Sequence, residues 1–152
     1  MKVLSLILLF AFVLYAKGEN IIVNAKSFEA DEKKNISIFK GDVSIQKGDD
    51  YIKADTLKIY FNKKNKPTKY KAIGNVKFEL FTNKQHFKGN SNTIEYSPLT
   101  KLYKASGHVF LTDLTQHRKL RGENIIIDRI HGKTKINGTK KRPVKFIFSV
   151  EE

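Results

Sequence analysis

The sequence predicts an all-β domain, in which an antiparallel sheet curls around its own apolar face. Three observations favour this fold class: a repeat of fixed length, period-two alternation of apolar and polar residues, and a change of apolar side at the same place in each repeat. Helical periodicity is nearly missing after residue 20, and polar turns separate short runs rich in Ile, Val, Phe, Tyr and Thr. We therefore expect a dozen or more short strands.

The repeat is 33 residues long. Residues 70–76 read YKAIGNV, and 103–109 read YKASGHV, an offset of 103 − 70 = 33. A weaker copy lies at Gly41-Asp42-Val43, and a degraded fourth at Gly138. A period of this size indicates four stacked units, each completing a core that one unit could not close.

Each unit contains a glycine that is expected to interrupt the extended chain. Gly41, Gly74 and Gly107 stand between β-rich runs and precede Asp, Asn and His. Glycine adopts positive φ at little cost, so the chain can turn or bulge at these positions before a new strand starts.

The apolar face changes side ahead of each glycine. A large apolar residue opens each unit, a small residue follows two positions later, and further residues of the same face follow at five and seven positions. The openers are Val23, Ile52, Phe87 and Leu120, followed at five by Phe28, Leu57, Asn92 and Ile125, and at seven by Ala30, Ile59, Ile94 and Ile127. Because five is odd, a flat strand would turn its core residues outward, so a bulge or corner is expected near Asp55, Asn90 and Glu123.

The first 18 residues are predicted to be a targeting signal. Lys2 supplies the positive charge, Val3 to Tyr15 is apolar apart from Ser5, and cleavage is expected after Ala16 or Gly18. The apolar run is shorter than the roughly 20 residues of a spanning helix, although an uncleaved N-terminal anchor is the alternative. Residues 19–152 then form one domain. Since the chain has no cysteine, it suits a bacterial envelope compartment better than a disulfide scaffold.

Catalysis finds little support, and we predict neither an enzyme nor a cofactor. The four histidines, of which His108 is one, are scattered without metal-ligand spacing. Ser106 lies near His108 and Asp113, but no Gly-x-Ser-x-Gly elbow frames it. No phosphate-binding glycine loop is present either.

The chain is strongly basic, at +14, or 28 − 15 = +13 once Lys2 is removed. Its cationic clusters are Lys63, Lys64, Lys66, Lys69 and Lys71; His117, Arg118, Lys119 and Arg121; and Lys140, Lys141 and Arg142. They form either a solvated rim that favours solubility or a surface that attracts an anion. An exported protein meets phosphorylated glycolipid sooner than nucleic acid, so we expect no nucleic-acid partner.

Alternation also predicts which residues face inward. These are Ile59, Phe61, Phe78, Leu80, Ile94, Tyr96, Leu111, Ile125 and Ile127. Two interpretations remain open, because these side chains either pack only against one another or partly meet acyl chains in a sheet that stays open.

The repeated motifs resemble the LptA/OstA-like family of periplasmic lipopolysaccharide-transport proteins. The residues that carry the resemblance are the three Gly-x-Val motifs together with Ile52-Lys53-Ala54-Asp55-Thr56-Leu57, Phe87-Lys88-Gly89-Asn90 and Leu120-Arg121-Gly122-Glu123-Asn124-Ile125, over nearly all of residues 20 to 138. The resemblance implies an elongated, V-shaped antiparallel β-jellyroll (β-taco). Its interior would shield the lipid A acyl chains of lipopolysaccharide, and the nine inward residues would line that groove.

The resemblance further implies head-to-tail self-association by strand addition at the sheet edges. The candidate edges are residues 21–25 and 144–150, with Ile21, Val23, Val144, Phe146 and Phe148 as contacts. The implied partners are an inner-membrane anchored jellyroll transport protein and the outer-membrane lipopolysaccharide assembly barrel. If residues 1–16 are retained, the chain would be the anchored component. A structural envelope module without a lipid ligand is the other alternative.

Two positions depart from the family pattern. Asn92 stands where the other units have Phe28, Leu57 and Ile125, which puts one interior contact in doubt. Lys140 replaces the valine of the fourth unit, so irregular pairing or an exposed arm is expected near Pro143.

Overall fold

The protein is an open antiparallel sheet. The computed structural model describes residues 20–82 and 84–150, so the predicted signal segment lies outside the described residues. The strands of the described part are β1 (Ile21–Asn24), β2 (Ser27–Asp31), β3 (Ile36–Lys47), β4 (Asp50–Phe61), β5 (Pro67–Phe81), β6 (His86–Ser97), β7 (Leu102–Asp113), β8 (Arg118–Asp128), β9 (Lys133–Asn137) and β10 (Lys145–Phe148). The all-β prediction is confirmed, and no helix occurs within these ranges.

The expected number and length of the strands were wrong. The described residues form ten strands, and β3 to β8 are 11 to 15 residues long. The error has a physical cause, because the repeated glycines do not end strands. β3, β5 and β7 each continue through their repeated glycine, and the sheet bends there without losing its pairing partners.

The long strands pair in sequence order as a meander from β3 to β8. Two short strands share each outermost long strand: β1 and β2 pair with β3, while β9 and β10 pair with β8. The path from β1 to β10 is open at both ends. Thus the two predicted edges are confirmed as edges. The segment around Pro143 is irregular as expected, with a turn closed by backbone hydrogen bonds between Thr139 and Arg142.

A bulge interrupts every long pairing at the same level. In β3, Gly41 and Asp42 lie opposite the single residue Asp55 of β4. The glycine has a φ of 85° and the aspartate one of 44°. The same pair of positive φ angles recurs in β5 and β7. The predicted corner is therefore confirmed as a line of bulges, which increase the local bend and twist of a sheet.

The line of bulges divides the sheet into two arms that face each other. Arm A consists of β1, β10 and residues 43–47, 50–54, 76–81, 86–91, 109–113 and 118–122. Arm B consists of β2, β9 and residues 36–40, 56–61, 67–73, 93–97, 102–106 and 124–128. The core lies between the arms. We call the free edge of each arm a lip: lip A is formed by the turns after Lys47, Phe81 and Asp113, and lip B by those after Asp31, Phe61, Ser97 and Asp128.

The change of apolar side at the corner is also confirmed. Ala54 and Leu57 are both buried although they are three residues apart on β4. Asn92, the departure noted in the third unit, is exposed at the corner and contributes nothing to the core. In its strand, Ser91 and Ile94 face inward instead.

Candidate functional site

The space between the arms, here called the trough, is lined by the predicted inward residues. Eight of the nine are at most 7% exposed, and the ninth, Phe61, is partly buried against the same cluster. The eight are Ile59, Phe78, Leu80, Ile94, Tyr96, Leu111, Ile125 and Ile127. The inward positions are therefore confirmed, while their contact with lipid stays a prediction.

One cavity of about 30 Å³ lies in the trough toward β1. Its walls are mainly apolar and come from both arms, with Ile45 and Ile52 facing Ile94 and Tyr96. A space of this size holds a water molecule or two, which is far less than an acyl chain. In this structure the arms are packed against each other, so a chain could enter only if they separate.

The apolar interior continues to both ends of the sheet. At one end, Phe28 is opposite Phe39 on the inward face and remains 45% exposed. At the other end, Phe146 is opposite Leu120 on the inward face, and Phe148 follows it two residues later. Both β10 phenylalanines are exposed. Of the other predicted edge contacts, Ile21 and Val23 are partly buried on β1, and Val144 is exposed just before β10.

A polar cluster crosses the mouth of the trough, and sequence reasoning missed it. Asp50 belongs to arm A, and its Oδ2 accepts hydrogen bonds from the Tyr103 hydroxyl at 2.7 Å and from Arg129 Nη1 at 2.8 Å. Tyr103 and Arg129 lie at lip B. Burial raises the pKa of the Tyr103 hydroxyl far above its usual range, and the negative charge of Asp50 raises it further. The tyrosine thus stays a hydrogen-bond donor at neutral pH.

The basic clusters differ in how much of their charge is engaged within the protein. Lys63, Lys64 and Lys66 are exposed in the turn after β4. By contrast, Arg118 donates to the buried Asp113 at 2.5 Å, and Arg142 lies 3.3 Å from Glu123. The lip B lysines are consequently exposed positive charges that an external anion could reach, as are Lys140 and Lys141.

The Asp113 carboxylate stabilises lip A. Burial alone would raise its pKa, but hydrogen bonds from Arg118 and from the backbone amides of Gln116 and Thr115 outweigh that effect and hold the pKa below its usual value. The carboxylate is therefore ionised at neutral pH, and it fixes the turn between β7 and β8.

Two of the four histidines form local pairs with carboxylates. His86 Nε2 lies 2.6 Å from Glu79 Oε1, and His131 Nδ1 lies 2.7 Å from Asp128 Oδ2. Over residues 20–82 and 84–150, no three His, Asp or Glu side chains come together as a metal site. In the same ranges, no helix is long and apolar enough to cross a bilayer.

A comparison with known protein families identifies the family of this chain. Residues 22–133 match the model of the family described as "LptA/(LptD N-terminal domain) LPS transport protein". The chain belongs to this family. None of the curated proteins that were compared by sequence matches the chain.

A solved structure of an LptA homologue has the same fold. It is the crystal structure of LptH, described as the LptA homologous periplasmic component of the conserved lipopolysaccharide transport device from Pseudomonas aeruginosa. The TM-score is 0.76 at 18% sequence identity, over 88% of this chain and 98% of that one. The predicted β-jellyroll fold of the LptA-like family is thereby confirmed.

One signal in the sequence could have revealed the mouth cluster of this family member. Asp50 lies two and four residues before Ile52 and Ala54, so it occupies an inward position of the same strand. A carboxylate on an apolar face requires a partner. The partners could not be identified from the sequence, because Tyr103 and Arg129 are 53 and 79 residues away.

Proposed function

We propose that this protein is a periplasmic carrier of lipopolysaccharide that forms part of a bridge between the inner and outer membranes. The observation that carries the proposal is the apolar trough, whose inward face extends to exposed phenylalanines at both ends. Membership of the lipopolysaccharide-transport family and the fold shared with a periplasmic component support it. Its action needs binding and release only, with no covalent chemistry and no cofactor.

Acyl chains would bind between the separated arms. Each buried methylene contributes about 0.8 kcal/mol, so about ten of them contribute roughly 8 kcal/mol. This is comparable to the whole stability of a domain of this size. An entering chain would also replace the contacts that inward residues such as Ile94 and Leu111 make across the trough. Lipid could thus offset the cost of parting the arms.

The sugar phosphates would remain outside and meet the lip B lysines. Lys63, Lys64 and Lys66 lie in one exposed turn at the mouth. Lysine ammonium groups bind phosphate as mobile point charges. Since exposed charges are screened, we expect this contribution to weaken as salt rises.

Photo-crosslinking tests the lipid contact. A benzophenone side chain replaces Tyr96, which is 7% exposed and lines the cavity, or Tyr51, which is 38% exposed on the outer face of β4. Both positions are aromatic, which makes them a matched pair. The probe at position 96 is expected to label lipopolysaccharide in the cell envelope, and the probe at position 51 is not. Equal labelling at the two positions would contradict lipid passage through the trough and would favour a structural module.

Head-to-tail self-association would use the free edges of β1 and β10. Each edge is only four residues long, and strand addition would extend the open sheet from one copy to the next. The chain has no cysteine, so Ile22→Cys and Ile147→Cys can be prepared as single-thiol proteins. Mixing them should give mixed disulfide dimers in excess over a Lys64→Cys control. If the three single-cysteine proteins formed disulfide dimers at random, strand addition between β1 and β10 would be refuted.

The membrane-anchored jellyroll protein and the outer-membrane barrel are the proposed partners at the two ends of such a stack. The periplasmic assignment also requires removal of the signal segment, which is residues 1–16 or 1–18. N-terminal sequencing of the protein from the envelope tests it, with a start after Ala16 or Gly18 as the expected result. A start at Met1 would instead favour the anchored component.

A further inference from the structure

We propose that Asp50, Tyr103 and Arg129 form a clasp that holds the mouth of the trough closed toward β1. This inference rests on the proposed lipid binding and concerns its regulation. An acyl chain would enter the cavity when the clasp breaks, and the clasp would re-form after the chain leaves.

The clasp joins the two arms by side chains at opposite lips. Tyr103 and Arg129 of lip B both donate to Asp50 Oδ2, and Arg129 Nη2 also donates to the carbonyl oxygen of Phe81 at 2.5 Å. Phe81 belongs to lip A, and its own amide donates to Asp50 Oδ1 at 2.9 Å. The guanidinium group therefore binds a carboxylate and a carbonyl of the opposite arm at the same time.

The cavity lies directly against this clasp. Asp50 and Tyr103 are part of its wall, and otherwise the wall is almost entirely apolar. Lys47 adds a second contact across the mouth, because its ammonium group lies 5.2 Å from the centre of the Tyr96 ring. Separation of these groups would open the cavity beside β1.

Polar groups suit a closure that has to open. A buried ion pair pays a desolvation penalty that cancels much of its attraction, and the penalty is recovered when both groups return to water. The Asp50 side chain is 5% exposed and that of Arg129 is 26% exposed, so opening would rehydrate mainly the carboxylate. The clasp thus specifies one closed geometry without the large net stability of an apolar seam.

Distance measurements between the lips test the clasp in the full mature chain. Spin labels are attached to cysteines at Asp49 on lip A and Leu99 on lip B, both exposed positions. Tyr103→Phe removes only the hydroxyl, and Arg129→Gln removes the charge. Arg118→Gln is the matched control, because it breaks an arginine–aspartate pair within arm A. Pulsed electron paramagnetic resonance then reports the separation, and stopped-flow fluorescence reports association with purified lipid A.

We expect Tyr103→Phe and Arg129→Gln to raise the population with separated lips, and the rate of lipid A association, by about tenfold, since each loses a hydrogen bond to a charged group. Arg118→Gln should lower the urea midpoint without changing the distance distribution. Unchanged distances and association rates in both clasp variants would overturn the proposal. If the lips separate but no protein binds lipid A, the clasp stands and the proposed lipid function fails.

Discussion

Replacing Gly107 with alanine should destabilise the folded sheet by about 2–5 kcal/mol, because the corner has no room for a Cβ atom. Gly107 has a φ of 82°, and a non-glycine residue in the left-handed region costs about 1–2 kcal/mol. A Cβ there would lie 2.8 Å from Asn92 Cβ and 2.9 Å from Asn92 Cγ. Overpacking of this kind adds about 1–3 kcal/mol. Asn92 Cβ is fixed to the backbone, so a rotamer change cannot relieve the clash.

Urea unfolding of the mature chain measures this cost against a control. Gly48 also has a positive φ, 59°, but no atom lies within 4 Å of a Cβ built there. Gly48→Ala should therefore lower the free energy of unfolding only by the cost of placing alanine at a positive φ, about 1–2 kcal/mol. Combining Gly107→Ala with Asn92→Gly should restore the part of the free energy of unfolding that the clash with the Asn92 side chain removes. If Gly107→Ala costs no more than Gly48→Ala, close approach of neighbouring strands does not explain the repeated glycine.

Three further predictions concern the core and the titrating groups. Ile94→Ala should cost about 2–5 kcal/mol in urea unfolding, against less than about 0.5 kcal/mol for Ile130→Ala, because Ile94 is buried and Ile130 is 58% exposed. Asp113 has a lowered pKa, so its stabilisation is present above the unfolded-state pKa of about 3.9 and is lost as pH falls through the folded pKa. In the Asp113→Asn variant, stability should therefore depend less on pH in this range. Acid unfolding monitored by circular dichroism measures this dependence. Burial raises the pKa of Tyr70 to about 12, so rising pH should destabilise the protein between about pH 10 and 12. Tyr70→Phe should reduce that loss, and absorbance at 295 nm should show one late-titrating tyrosine fewer.

The corner could be predicted from the sequence because two independent patterns coincide there. Ala54 and Leu57 both have to face inward although they are three residues apart. A strand can do this only where a bulge interrupts its alternation. The repeated glycine lies in the neighbouring strand and supplies the positive φ that the bulge requires. Inward residues such as Phe78 and Leu111 follow from the same alternation, which explains why burial confirms their positions.

Strand length could not be predicted from those patterns. A glycine with positive φ followed by asparagine suits a tight turn and a bulge equally well. In the structure Gly74 and Asn75 have φ angles of 86° and 48° within one strand. What distinguishes the two cases is the partner strand, since β4 and β6 pair with β5 on both sides of the glycine. That information is carried by residues 15 to 24 positions away, since Val76 pairs with Ser91 and Lys77 with Lys53.

The inward residues form the core and are also the proposed lipid contacts, so a test of lipid contact has to separate the two. In the closed state Ile94 and Leu111 form the core, so an acidic substitution at either would unfold the protein whether or not lipid ever touches them. Loss of transport in such a variant would therefore show nothing about the trough. Tyr96 and Tyr103 separate the two roles better, because they lie beside the cavity and carry hydroxyl groups whose removal leaves the rings in place. If lipid enters where the arms part, changes at these tyrosines should alter its binding rate more than the stability of the sheet.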